Sequence, residues 1–273
     1  MPNKLYKFTF SPPARLAWLS AKIYKVPTEI INIDLSKAEQ LDVDFLKINP
    51  KHEVPAFDHE GKYITESRTI AKYFHEHFNT DLEGNDHWYP SNPEKRVKVE
   101  EWLDWSDQRH MVFCKPPLLH ATTSYGMPWR ENYGIIMTII GSRIKNDPGA
   151  NAEMRSCLAD AESMLSDRTI KEVTDLNLGD LAVFLESSLA FFVHPDIHYD
   201  NYPALKNLYT VIQKIPEFEE IDREFCEFTE RVRDLRDHGS SPTVFTYLNE
   251  TWATIKLVVY IIWNGIAFTS VKS

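Results

Sequence analysis

Side chains able to ligate a metal, carry a thiolate or stack on a ring are scattered along this chain, and their spacing limits what each can do. His75-Glu76-His77 puts two imidazoles two residues apart, on different faces of a helix, so the pair does not share a metal. His194 and His198 stand at the right interval for a helical pair, but Pro195 between them breaks the helix. Cys114, Cys157 and Cys226 are the only cysteines, and no CxxC occurs. Neither a zinc ribbon nor a disulfide framework is expected, and a reducing compartment is the default. No metal is expected. Trp102 and Trp105, three apart, read as a packing stripe. Two junctions remain. Ser11 separates a strand-like run from Pro12-Pro13, and Glu66-Ser67 precedes an apolar helix; taken alone, both are helix caps.

The elements that would carry these residues are legible from periodicity. Residues 5–10 alternate, with Tyr6, Phe8 and Phe10 on one face, as in a short strand. Leu16, Leu19 and Ile23 follow at helical spacing, and prolines at a helix start sacrifice no hydrogen bond. Residues 29–34, the stretch around Val54-Pro55-Ala56-Phe57, and residues 62–64 read as three more strands, and Glu66 to Phe78 as a helix with Ile70, Phe74 and Phe78 on one side. The order β-α-β-(α)-β-β-α suits a small mixed sheet with helices packed on it. A linker is expected over 81–93, which is crowded with turn formers. Helical stripes then take over: Val99, Trp102 and Leu103, and later Leu205, Leu208, Tyr209 and Ile212. Residues 116–150, rich in Pro, Gly and Asn, are expected to be a loop-bearing interruption, and Asn177-Leu178-Gly179-Asp180 to cap an apolar helix reaching Leu189.

The chain has 273 residues and a formal net charge of −10, with 43% apolar and 26% charged residues. These are globular values. Residues 1–80 hold 11 basic and 10 acidic side chains, so the acid excess lies in the rest. A chain without a basic stripe is not built for nucleic acid, where phosphate contacts dominate affinity. The stretch 217–237, with nine acids and four basic residues, is expected to be a solvated helical face. Within the following segment, 238–273, the uninterrupted apolar core Leu257–Trp263 is seven residues, against about 20 for a membrane span. A buried or partner-docked tail is the expected reading, and membrane contact the less favoured one. The first twenty residues carry neither a secretory nor a transit pattern. An intracellular, reducing location is expected, cytoplasmic in the first instance, with organelles left open.

Several short runs, in this order and spacing, resemble a known family: SPPAR at 11–15, Asn49-Pro50 with Val54-Pro55, Glu66-Ser67-Arg68, His87-Trp88-Tyr89-Pro90, Asn177 with Asp180, and Tyr202-Pro203-Ala204-Leu205. Over roughly residues 4–235 the chain resembles a glutathione transferase, theta-like with some delta-like features. The resemblance implies an α/β thioredoxin-like N-terminal domain at 1–80, a linker at 81–93, an all-α C-terminal domain at 94–237 and an unusual extension at 238–273. It implies a homodimer or a subunit of a larger complex. Glutathione would be the co-substrate, with no metal, and a small hydrophobic electrophile its partner in the reaction.

The family's roles map onto this chain residue by residue. Ser11 would stabilise the glutathione thiolate, since a hydroxyl donor and a helix N-terminus both favour the anion. Val54, before a cis Pro55, would pair with the cysteinyl backbone. Glu66 would meet the γ-glutamyl ammonium, and Ser67 and its neighbouring amides the γ-glutamyl carboxylate, with Arg68 assisting or simply solvated. His52 and Gln40 fall at the glycyl end, and Trp102, Trp105 and Met111 at the electrophile pocket. The chain departs from the family where Gln40 replaces a histidine, Glu53 a lysine and Met111 an arginine. Two functions follow. One is an enzyme that conjugates glutathione to electrophiles. The other is a weak or inactive transferase-fold subunit that serves as a scaffold through its tail, in an assembly that need not be soluble.

Overall fold

The computed structural model describes residues 2–35, 39–124, 148–193 and 197–238. Strand β1 (Asn3–Lys7) leads into α1 (Pro12–Ile23), β2 (Thr28–Asn32), the short α2 (Val43–Ile48), the hairpin β3 (Ala56–His59) and β4 (Lys62–Thr65), and α3 (Ser67–Phe78). The strands form one sheet in the order β2-β1-β3-β4, with β1 parallel to β2 and the other pairs antiparallel. This is a thioredoxin-like sheet, in the element order expected from the sequence.

Alternation decides what each face meets. Leu5 pairs with Phe57, and Phe57 with Ile64; all three are buried, and Phe57 meets Phe74 of α3 edge-on at 4.7 Å. Tyr6, one residue on from Leu5, points to the other face and contacts Phe45 of α2 at 5.9 Å. The expected strand 5–10 stops at Lys7. Beyond it the chain turns into α1, so Phe8 and Phe10 leave the sheet. Both rings come to lie on Phe228, at 5.7 and 5.6 Å, and the three aromatics do not share one surface.

Among the described residues five helices follow: α4 (Pro93–Ser124), α5 (Pro148–Ser166), α6 (Leu178–Val193), α7 (Pro203–Ile212) and α8 (Phe218–His238). Helix α4 runs on past Pro116 and Pro117, and α5 begins at Pro148. The expected interruption at 116–150 is therefore helical at both ends. A proline removes one amide donor from the ladder but leaves those of its neighbours. The rest of that stretch, together with His194 and the tail from 239 on, lies outside the described residues.

Helix α6 is the central one, buried at every position from Leu178 to Ala190. Its start is a reciprocal cap: Asp180 N–H donates to Asn177 Oδ1 at 3.1 Å, and Asn177 N–H to Asp180 Oδ2 at 2.8 Å. Glycine is needed between them, because a Cβ on Gly179 would lie 2.5 Å from Trp102 Cβ and 3.0 Å from the Val99 carbonyl. The acidic helix α8 is less solvated than its composition implies. Phe218, Ile221 and Phe225 are buried, Glu224 pairs with the buried Lys7 at 2.5 Å, and Glu220 pairs with Lys22. Two of its acids thus fasten the helical part to β1 and α1. His75 and His77 also part company, bonding Tyr24 Oη and the Tyr73 carbonyl respectively.

Candidate functional site

Ser11 occupies the turn from β1 to α1. Its backbone is extended (φ −79°, ψ 115°), its N–H donates to the Phe8 carbonyl at 3.0 Å, and its carbonyl accepts the Arg15 amide at 2.9 Å. Pro12 and Pro13, the first two helical residues, have no amide proton to offer. The Ala14 N–H, the first available, lies 3.4 Å from Ser11 Oγ, a long cap bond. The hydroxyl is therefore the polar group that this end of α1 presents, in place of the usual open amides.

A second wall is built by Asn49, which is 2% exposed. Its Nδ2 donates to the Glu53 carbonyl at 2.7 Å, its Oδ1 accepts the Lys51 amide at 3.1 Å, and its carbonyl accepts the His52 amide at 2.9 Å. These three bonds hold the loop with His52 at φ +52° and bring it to the cis Val54–Pro55 peptide. The sheet ladder begins only at Ala56, so Val54 and Pro55 stand at its mouth.

The third wall is the start of α3. Glu66 caps this helix at φ +68° and ψ 118°, a conformation rare for a residue with a Cβ. Its carbonyl accepts the Ile70 amide at 2.9 Å, and its carboxylate pairs with Lys51 at 2.7 Å. That pairing raises the Lys51 ammonium above its ordinary value, chiefly through the hydrogen bond to Glu66. Ser67, the first helical residue, is buried.

The three walls enclose one cleft of about 490 Å³. Ser11, Gln40, His52 and Glu53 line it, with Val54, Pro55, Glu66 and Ser67. Every residue assigned from the sequence to glutathione, apart from Arg68, is thereby brought together. The Gln40 side-chain oxygen is buried with no hydrogen-bond partner among the described residues. Arg68 is not among the lining residues. It bonds Glu100 and Asp104 of α4 and approaches Asp107 at 3.8 Å, tying α3 to α4 instead of lining the cleft. Glu100 also receives Lys72 at 2.5 Å and the Tyr89 hydroxyl. Burial opposes its ionisation, but hydrogen bonds from Lys72, Tyr89 and Arg68 prevail and draw its pKa down to about 2.

The helical side of the cleft differs from expectation. Trp102 and Trp105 are buried in the core: Trp102 packs against the start of α6, and Trp105 lies 6.1 Å from Phe113 with the Arg109 guanidinium over its ring. Neither lines the cleft, and the Met111 side chain is outside the described residues. Asp107 and His110 line it instead. At 3.6 residues per turn His110 falls on the same face of α4 as the buried Leu103, seven residues earlier, so helical phase alone gave no signal for it. Asp107 is raised above the usual carboxylate range by burial, Arg68 pulling against it and Asp104 and Glu66 adding to it. His110 Nδ1 contacts both oxygens of Glu186, at 2.9 and 3.0 Å. Glu186 is 3% exposed, and burial raises its carboxyl against the opposing pull of His110 and Arg15.

Comparison with known proteins follows the same lines. Residues 1–76 match the family described as glutathione S-transferase, N-terminal domain. Theta-1 glutathione S-transferase of Rattus norvegicus is 31% identical over 120 residues, 44% of this chain and 48% of the relative, and its human counterpart is also 31% identical. The match thus spans about half the length of these curated relatives. A delta-class glutathione transferase of Nilaparvata lugens superposes with a TM-score of 0.64 at 25% identity, covering 86% of this chain and all of the other. Human glutathione S-transferase T1-1 gives 0.67 at 20% identity over 95% and 98% of the two chains. The resemblance expected from the motifs is borne out. A glutathione transferase N-terminal domain is joined here to a helical C-terminal region in the glutathione transferase fold, with theta-class proteins among its relatives.

Proposed function

We propose that this protein is a glutathione transferase that conjugates glutathione to small hydrophobic electrophiles, with the Ser11 hydroxyl stabilising the thiolate. The observation that carries the reading is the convergence of Ser11, the cis Val54–Pro55 peptide and Glu66-Ser67 on one cleft. A free thiol titrates near 8.5, so conjugation at neutral pH needs a donor aimed at the sulfur. Pro12 and Pro13 leave that task to the serine hydroxyl. Val54 would meet the cysteinyl backbone, Glu66 the γ-glutamyl ammonium, and Ser67 with the open amides of α3 the γ-glutamyl carboxylate. His52 and Gln40 serve the glycyl end, where the Glu53 charge is countered by Lys51 close by. A homodimer in a reducing compartment belongs to the same proposal.

Calorimetric titration with glutathione, on wild type and on Ser11→Ala, tests it. Binding by both proteins, with the thiol pKa of bound glutathione lowered only by wild type, supports the reading. No heat at millimolar glutathione overturns it and leaves the fold as a scaffold.

A further inference from the structure

Ser11 stands just past the end of β1, and the sheet does not hold it there. The β1 ladder stops where Lys7 pairs with Asn32 of β2 and Tyr6 with Ala56 of β3. Past Lys7, the Ser11 amide closes the turn on the Phe8 carbonyl at 3.0 Å. The serine hydroxyl is loosely tied, its cap bond to the Ala14 amide being 3.4 Å long. Helix α8 supplies what the sheet lacks. The buried Lys7 ammonium donates to Glu224 at 2.5 Å and to Thr9 Oγ1 at 2.8 Å, and the Thr9 hydroxyl donates to the same Glu224 oxygen at 3.1 Å. At the alternate positions, Phe8 meets Phe228 edge-on at 5.7 Å, while Phe10 lies on Phe225 at 6.2 Å and on Phe228 at 5.6 Å. Residues 224, 225 and 228 share one face of α8, since side chains three and four apart are neighbours on a helix. Each side chain from Lys7 to Phe10 thus meets that one face, 215 or more residues further along the chain.

We infer that Glu224, Phe225 and Phe228 of α8 are positioning residues for Ser11, holding the turn that aims its hydroxyl at the glutathione sulfur. The inference rests on the transferase reading above. A hydrogen bond weakens steeply as its angle opens, and a displacement of about 1 Å at a reacting group costs up to about 100-fold. The remaining contacts of glutathione belong to other walls, the loop from His52 to Pro55 and the start of α3. Loosening this face of α8 therefore changes how the thiol ionises and leaves peptide binding in place. A helix that only supports the fold behaves differently, because packing lost anywhere along it acts alike. Phe218 provides that comparison. It lies on the same helix, is 2% exposed, and its ring meets Phe184 of α6 at 5.8 Å.

The test reads the thiol pKa of bound glutathione from thiolate absorbance in full-chain variants. S-methylglutathione, whose sulfur cannot ionise, is the binding probe. Phe228 is the residue to change, because it carries no charge and reaches the thiol only through packing. Phe228→Ala should raise the thiol pKa by about 0.5–1 unit, part of what loss of the hydroxyl itself would cause. At pH 7 it should lower kcat/KM with 4-nitrobenzyl chloride roughly 2- to 8-fold. Phe228→Tyr keeps the ring and should keep the wild-type thiol pKa, as should Phe218→Leu. Calorimetric affinity for S-methylglutathione should stay within about twofold throughout. An unmoved thiol pKa in Phe228→Ala overturns the inference. So does an equal rise in Phe218→Leu, or a loss of S-methylglutathione affinity in step with activity. Each of these leaves the transferase reading in place. A wild type that does not bind glutathione, or binds it without lowering its thiol pKa, removes both. Should Phe228→Ala fail to fold, Phe228→Leu decides by the same criterion, since Phe228 is only half-buried.

Discussion

Replacement of Ser11 separates the proposed thiolate-donor role from the helix cap, because the two respond differently to alanine and glycine. A hydrogen bond to a charged group contributes about 1.5–3 kcal/mol, and one pKa unit corresponds to about 1.36 kcal/mol. Loss of the hydroxyl should thus raise the thiol pKa of bound glutathione by roughly one to two units. With the unaided thiol near 8.5, the thiolate fraction at pH 7, and with it kcat/KM, then falls about 8- to 25-fold. The cap side is smaller. The Ala14 amide lies 3.4 Å from Ser11 Oγ, so Ser11→Ala belongs at the weak end of cap losses, about 0.5 kcal/mol, and Ser11→Gly costs a few tenths. Steady-state conjugation across pH, with urea melts of both variants, reads the two effects apart. Both variants should lose activity equally and recover it as pH rises through about 8.5, where the thiol ionises unaided. Activity that follows the order of cap stability, or variants that keep the wild-type pH midpoint, would refute the assignment.

Three further outcomes test the scaffold around the cleft. Arg68→Met should destabilise the protein by about 1–2 kcal/mol in urea melts, between the exposed and buried limits for ion pairs, while glutathione affinity by calorimetry changes little. The Glu100 carboxylate, held at about 2 against an ordinary 4.5, contributes stability above pH 4.5 that is lost as pH falls towards 2; in Glu100→Gln that acid-limb loss in the urea midpoint should be reduced. Gly179→Ala should cost about 1–3 kcal/mol by overpacking against Trp102, which amounts to about 2–6 °C or more in Tm for a chain of this size.

Much of this arrangement was legible in the sequence because it is local. The first strand, α1 and α3 follow from period two or period 3.6, and the N-caps at Ser11 and Asn177 from side chains three residues from their amides. What escaped were partners distant in sequence. Arg68 reads as a solvated or ligand-binding side chain until α4 places Glu100 and Asp104 against it, 32 and 36 residues on. Glu220 and Glu224 read as solvated until Lys22 and Lys7 meet them from the first 25 residues. Trp102 and Trp105 fall at the pocket by the family resemblance, whereas their spacing reads as a packing stripe, and they lie in the core. A helix shows one face to the core and another to the cleft, however, and large aromatics go where the most apolar area is removed from water.

The same long-range logic links the two sides of the cleft. Ser11 and Arg15 are one turn apart on α1. The serine faces the cleft, while Arg15, 2% exposed, reaches into α6, where its guanidinium donates to the Leu185 carbonyl and to Ser188 Oγ, both at 3.1 Å. Between those two acceptors on α6 lies Glu186, which holds His110. One buried arginine therefore fixes the helix that begins behind Ser11 against the helix whose Glu186 holds His110. Arg15→Lys should expose this coupling. A lysine keeps the charge but cannot reproduce the planar, forked donor geometry, so glutathione binding at the thioredoxin-like side should persist while conjugation falls. Binding and conjugation lost in equal measure would mean that Arg15 supports only the fold.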